Sequence, residues 1–221
     1  MNTQASDVDS QGIRPAFLRA AASVTALLRD PAVAAAWAEP SALAEFSVGG
    51  LAAHTAAQVT MVPARLTAAE PDGEPVTLLE HYARVTWIGT DLNSGVNVTI
   101  RENGEDAAAA GPEAIAEAVD GATRELAELL PAETADRRVS PPAGPWGLRL
   151  DDFLVTRMME IAVHSDDLAC SVGIATPDLP PEVLDPVLAL LASLAVRRHG
   201  APAVLRALAR SERAPATVSA F

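Results

Sequence analysis

From Ile13 to Arg29 the apolar residues Phe17, Leu18, Val24, Leu27 and Leu28 recur near one face of a helical repeat, which predicts a first helix stopped by Asp30-Pro31. Trp37 to Phe46 reads as a linker with one helical turn at most. Ser47 is placed to cap a second helix over Val48–Leu66, its hydroxyl facing the orphan amides of Gly49 and Gly50. In the segment from Glu70 to Asn103 the pattern is mixed. Leu78 to Leu92 is consistent with a helix, whereas Val96, Val98 and Ile100 alternate as a short strand would. Pro112 opens a helix carried by Ile115, Val119, Leu126, Leu129 and Leu130 and stopped at Pro131.

Val139 to Gly147 contains Pro141, Pro142, Gly144 and Pro145 and predicts an ordered loop around Trp146. Asp151 then caps a helix over Asp152–Val172, closed by Gly173. Pro177, Pro180 and Pro181 mark a boundary, after which Val183–His199 and Pro202–Arg210 form two helices joined at Gly200, with a loose tail to Phe221. The pattern therefore describes an all-α chain: a tail over residues 1–12, a bundle over 13–176, and a C-terminal helical extension over 177–221.

Composition narrows the partners. The 221 residues are 49% hydrophobic and 20% charged, with a formal net charge of −13, so binding to phosphate backbones or anionic membranes has no electrostatic footing. The polar start of the chain, with Asp7 and Asp9, is unlike a signal peptide, and no apolar run is long enough to span a bilayer. A single cysteine, Cys170, agrees with a reducing, cytoplasmic setting.

The chemistry lies in the histidines. Of His54, His81, His164 and His199, only His164 has a carboxylate four residues before it, Glu160, and side chains at that spacing share one helix face. A third ligand from a facing helix would complete a three-residue divalent-metal site with a coordination position left for a small ligand, and His54 is the natural choice. Left to itself an i,i+4 Glu/His pair is more often a helix-stabilising contact. Asp167, three residues past His164, could accept its ring proton, lie near the metal, or be a solvated carboxylate. Cys170 reads as a small core residue, Gln58 and Met61 as facing the bundle interior, and His81 and His199 as surface or satisfied residues. Trp37, Trp87 and Trp146 read as packing anchors, Trp146 also as a possible pocket wall.

Phe46-Ser47-Val48-Gly49-Gly50-Leu51-Ala52-Ala53-His54, with Arg157-Met158-Met159-Glu160-Ile161-Ala162-Val163-His164 and the following Asp167-Leu168, resembles the mycothiol-dependent maleylpyruvate isomerase family, part of the DinB-like metal-binding four-helix bundles. The stretches Ala201 to Leu208 and Glu212 to Pro215 are similar to the tails of its actinobacterial members. The resemblance implies an antiparallel four-helix core in which His54, Glu160 and His164 hold zinc. It also implies mycothiol as thiol cofactor or cosubstrate, and isomerase or thiol transferase chemistry on a small electrophile. By position it puts Arg84 forward to hold a substrate carboxylate, with Arg157 as the second choice. A nitrogen and carboxylate site would also accept nickel, cobalt or iron. The same ligands would serve a metal-activated-water hydrolase or lyase, or a bundle that binds metal and small ligand without catalysis.

Overall fold

The computed structural model describes residues 5–221, with side chains from residue 12 onward; Met1 to Gln4, part of the expected tail, lie outside the described residues. The chain is mostly helical. The long helices are α1 (Ala5–Leu28), α3 (Val48–Thr60), α6 (Gly95–Ala108), α7 (Pro112–Leu129), α8 (Leu150–Val172) and α9 (Pro181–His199). Shorter ones are α2 (Pro31–Ala35), α4 (Val62–Thr67), α5 (Leu78–Arg84) and α10 (Ala201–Ala209). None of the described helices is long and apolar enough to cross a membrane.

Four helices enclose the core, with α1 and α3 each packed against both α7 and α8. Arg14, early in α1, reaches Asp151 at the start of α8 and the carbonyls of Leu130 and Glu133 just past the end of α7. Helix α1 therefore runs parallel to α8 and antiparallel to α7. Gln58 and His54 of α3 meet Arg157 and His164 of α8 respectively, so that pair is antiparallel too. The expected antiparallel relation thus holds across two sides of the bundle, and the other two are parallel. Phe17, Leu51, Leu126, Phe153, Leu154 and Met158 are sealed inside, each worth about 1.5–3 kcal/mol of burial. Val183, Val187, Leu190 and Leu194 of α9 join the same cluster.

Local chemistry accounts for the element boundaries. Ser47 caps α3 as expected, accepting from the Gly50 amide at 2.8 Å. The predicted continuous helix to Leu66 is broken at Met61, because Pro63 has no N–H to give the preceding turn. Helix α5 starts with a Thr77/Glu80 capping box but ends at Arg84, well short of Leu92. The expected strand around Val96, Val98 and Ile100 is instead helix α6. A lone strand would leave its ladder unpaired, whereas as a helix this segment docks closely on α3: a Cβ at Gly104 would lie 2.8 Å from the Gly50 carbonyl oxygen.

Arg149, not Asp151, precedes α8, and the Asp151 carboxylate is used instead to accept from Arg14 at 3.0 Å. The Pro/Gly loop around Trp146 is closed at its base by a two-residue antiparallel ladder, Arg138–Val139 with Leu148–Arg149. Gly173 and Gly200 end α8 and α9 with positive φ of 71° and 81°, where a side chain would be strained. The tail expected to be loose returns to the bundle. Ser219 accepts through its carbonyl from His199 Nε2 at 2.8 Å, and the Phe221 ring packs 5.0 Å from Trp87 and 5.9 Å from Tyr82.

Candidate metal centre

The Ser47-Val48-Gly49-Gly50 turn sets where His54 points. Glu105 of α6 accepts from both the amide and the hydroxyl of Ser47 at 2.8 Å, and its carboxylate lies where a Cβ on Gly50 would sit. The Trp37 indole occupies the corresponding space at Gly49 and donates to the Ala108 carbonyl at 3.1 Å. Two glycines are therefore required for α6 and Trp37 to close on the start of α3. His54 follows one turn later, edge-on to Phe46 at 6.1 Å.

From α8, Glu160 and His164 project toward the same point, and one donor atom from each of His54, Glu160 and His164 lies within 4.8 Å of the others. The His54 and His164 rings meet edge to face at 4.9 Å. His164 Nε2 is 3.2 Å from Glu160 Oε2 and its Nδ1 is 3.0 Å from Asp167 Oδ2. The His164 and Glu160 side chains are each 17% exposed, so the cluster opens to a small ligand.

Electrostatics polarise the three groups differently. Burial and then the positive charge of His164 push His54 down to about 4, so its imidazole is neutral and keeps a lone pair for a ligand. Burial would lower His164 as well, but the hydrogen bonds to Asp167 and Glu160 outweigh it and raise the group to about 9. For Glu160, burial acts upward and is overcome by the His164 hydrogen bond and the Arg157 charge, leaving it at about 2. A neutral imidazole, a carboxylate and an imidazole whose Nδ1–H donates to Asp167 form a donor set that suits a divalent ion, which His164 Nε2 would hold only in its deprotonated form. Two imidazole nitrogens and one carboxylate match zinc, and equally other late divalent metals.

The remaining sequence candidates sit as follows. Arg84 is exposed at the end of α5, its guanidinium 5.8 Å from the centre of the Trp146 ring. Arg157 is the buried one, donating to Gln58 Oε1 and to Thr156 Oγ1. Gln58 faces the interior as expected and also donates to the His54 carbonyl at 2.9 Å. Cys170, expected in the core, is exposed, because it lies on the outer face of α8. His81 is the residue the sequence undervalued: it is buried, and its Nδ1 accepts from Trp146 Nε1 at 3.0 Å. The Thr77/Glu80 capping box was the available signal, since it fixes where α5 begins and hence which way His81 and Tyr82 turn.

The family model described as the mycothiol maleylpyruvate isomerase N-terminal domain matches residues 17–169. Among solved structures, a histidine-to-alanine mutant of the mycothiol-dependent maleylpyruvate isomerase is similar at 17% identity, with a TM-score of 0.51 over 86% of this chain and 69% of that one. At that identity the likeness concerns the fold. None of the curated proteins matches.

Proposed function

The chain belongs to the family of the mycothiol maleylpyruvate isomerase N-terminal domain, and on that footing we propose that it is a metal- and thiol-dependent enzyme in which His54, Glu160 and His164 hold one divalent ion, zinc first among them. The observation that carries this reading is the convergence of those three donors within 4.8 Å on facing helices, with solvent access on one side. A zinc ion there would lower the pKa of a bound thiol and present it as thiolate, the nucleophile for isomerisation or conjugation of a small electrophile.

The chain's own residues supply position and charge. Asp167 accepts the Nδ1 proton of His164 and so fixes which nitrogen faces the ion. Arg157 fixes the Gln58 carboxamide beside His54 through its bond to Gln58 Oε1. Arg84, exposed over Trp146, is the residue that would meet an anionic substrate in this reading. The thiol is mycothiol or another low-molecular-weight thiol, which a reducing compartment such as the cytoplasm would keep reduced.

Metal content and thiol dependence test the proposal together. Purified protein should carry about one zinc per chain, as a single three-ligand site requires, and His54→Ala should lose it. The loaded protein should consume an electrophile such as 1-chloro-2,4-dinitrobenzene only when a thiol is added. Turnover indifferent to thiol would favour activation of water by the same ion, and no turnover with stoichiometric metal would favour a binding protein.

A further inference from the structure

On the side of α8 turned away from the metal cluster lies a cleft of about 490 Å³, within the range of small-molecule pockets. Asp151, on its wall, stands roughly two and a half turns before Glu160, which puts the two on opposite sides of the helix. The apolar wall comes from Val155 of α8, Leu190 of α9, Ile13 of α1 and Leu79 of α5. Arg197 Nη1 donates to the Leu79 carbonyl at 2.7 Å and so holds α5 beside α9. The space exists because α9 turns small side chains toward it: Pro186, Ala189 and Ser193 recur at i, i+3 and i+7, on one helix face. Leu79 is 40% exposed at this cleft, so an apolar occupant would take it out of water.

At the start of α8 the wall turns polar. Asp151 accepts from Arg14 through Oδ1, and its Oδ2 is sealed from solvent, so this residue offers charge to the cleft rather than a contact. Asp152 differs: it is half-buried and has no ion-pair or hydrogen-bond partner among the described residues. A carboxylate in the first turn of a helix is ordinarily favoured by the helix dipole. Here burial outweighs that, and the pull of the Arg149 charge, and holds the Asp152 carboxyl above its usual range. Arg149 itself is exposed and directs its guanidinium to the Ala135 carbonyl at 3.2 Å. A desolvated carboxylate without a counterion is costly, and a cation entering the cleft would relieve it.

We propose that this cleft is a second binding site, for a primary ammonium carried on an apolar body, with Asp152 accepting from the ammonium and Leu79, Val155 and Leu190 around the carbon part. The two kinds of wall set the class. An anion would face Asp151 and Asp152 together, and an uncharged alcohol would leave Asp152 without a counterion. A small polar cation would forgo the apolar wall. The Arg14 charge is committed to Asp151, so Asp152 supplies the charge that the ligand meets. A compact ammonium with three N–H donors fits a single carboxylate. The site stands apart from the metal cluster, since Asp152 precedes Glu160 by about 12 Å along α8, and it does not depend on what that cluster holds.

The test is a set of NMR titrations of the purified protein with n-hexylammonium, n-hexanol and hexanoate. Hexylammonium should bind saturably, with shifts at α5, the start of α8 and α9. It should bind at least about tenfold more tightly than hexanol, the margin of one hydrogen bond to a charged group, and hexanoate should not enter the cleft. Asp152→Asn should bring hexylammonium down to the affinity of hexanol, with helicity and metal content unchanged. Ala189→Phe, which fills the cleft from an exposed position on α9, should abolish binding of both. A surface substitution of this kind leaves folding intact, so the site remains testable even if Asp152→Asn unfolds the chain. Absence of saturable hexylammonium binding, equal affinity for hexylammonium and hexanol, shifts centred on His54 and His164, or unchanged affinity in Ala189→Phe would overturn the site.

Discussion

His164 Nδ1 lies 3.0 Å from Asp167 Oδ2, one turn further along α8, so the carboxylate accepts the proton of the nitrogen that faces away from Glu160. This contact leaves Nε2 for the cluster, 3.2 Å from Glu160 Oε2. An amide at position 167 could present either its oxygen or its nitrogen, and would no longer enforce that tautomer or raise the basicity of the ring. Asp167→Asn is therefore expected to weaken zinc by about 10–100-fold, measured by competition with a chelating dye. Unchanged affinity would mean that Asp167 is only a solvated carboxylate.

The metal-free protein should be most stable near pH 6.5. His54 and His81 are both held down to about 4, so the unfolded chain takes up their protons first and stability is lost as pH falls from about 6.5 toward 4. His164 is raised to about 9, so its contribution is present in full below about 6.5 and is lost as pH rises through 9. Thermal melts at pH 4.5, 6.5 and 9 would show a fall on both sides. Zinc should remove the alkaline limb, since it takes the place of the His164 proton and binds better as pH rises. A flat melting temperature between pH 6.5 and 9 without metal would show that His164 is not held protonated.

The clustering of His54, Glu160 and His164 was legible partly from local geometry and partly from the family resemblance. Glu160 and His164 share a face by spacing alone, and Ser47 with its two glycines marks a helix start that carries His54 inward. The same holds for helices opened by Pro112 or closed by Gly173 and Gly200. What could not be read locally depends on distant partners. Val96, Val98 and Ile100 alternate like a strand, and only docking of Gly104 against Gly50 and Phe46 settles them as helix. His81 shows no pattern of its own, and its role appears when Trp146, from a loop between β-ladder strands, donates to it. Phe221 ends a polar stretch and is ordered by the rings of Tyr82 and Trp87.

Two glycines in long helices should respond oppositely to alanine. At Gly104 a Cβ would stand 2.8 Å from the Gly50 carbonyl and 2.9 Å from the Phe46 ring, so α6 would have to move off α3. Overpacking of about 1–3 kcal/mol outweighs a helix-propensity gain of at most about 1 kcal/mol. At Gly121, inside α7, a Cβ would meet nothing within 4 Å, so only the propensity gain remains. Gly104→Ala should lower the melting temperature by about 2–8 °C and Gly121→Ala raise it by about 1–4 °C. Shifts of the same sign would contradict the close α3–α6 contact.

Arg14 ties α1 to the end of α7 and the start of α8. Its guanidinium donates to Asp151 at 3.0 Å and to the carbonyls of Leu130 at 3.1 Å, Glu133 at 2.7 Å and Thr134 at 2.9 Å. The Asp151 carboxyl is held above its usual range because burial outweighs the Arg14 bond, and its Oδ2 already lacks a partner. Arg14→Met would leave that carboxylate unpaired and free the carbonyls that follow α7. Removing one member of such a pair costs about 3–5 kcal/mol when buried, and the 13% and 14% exposure of the two side chains puts the expectation at the lower end. Asp151→Leu in the Arg14→Met background should recover part of the loss, because an apolar group there asks for no partner. Denaturant unfolding of the four proteins of this cycle measures the coupling. Simple additivity of the two substitutions would mean that the pair does not tie α1 to α8.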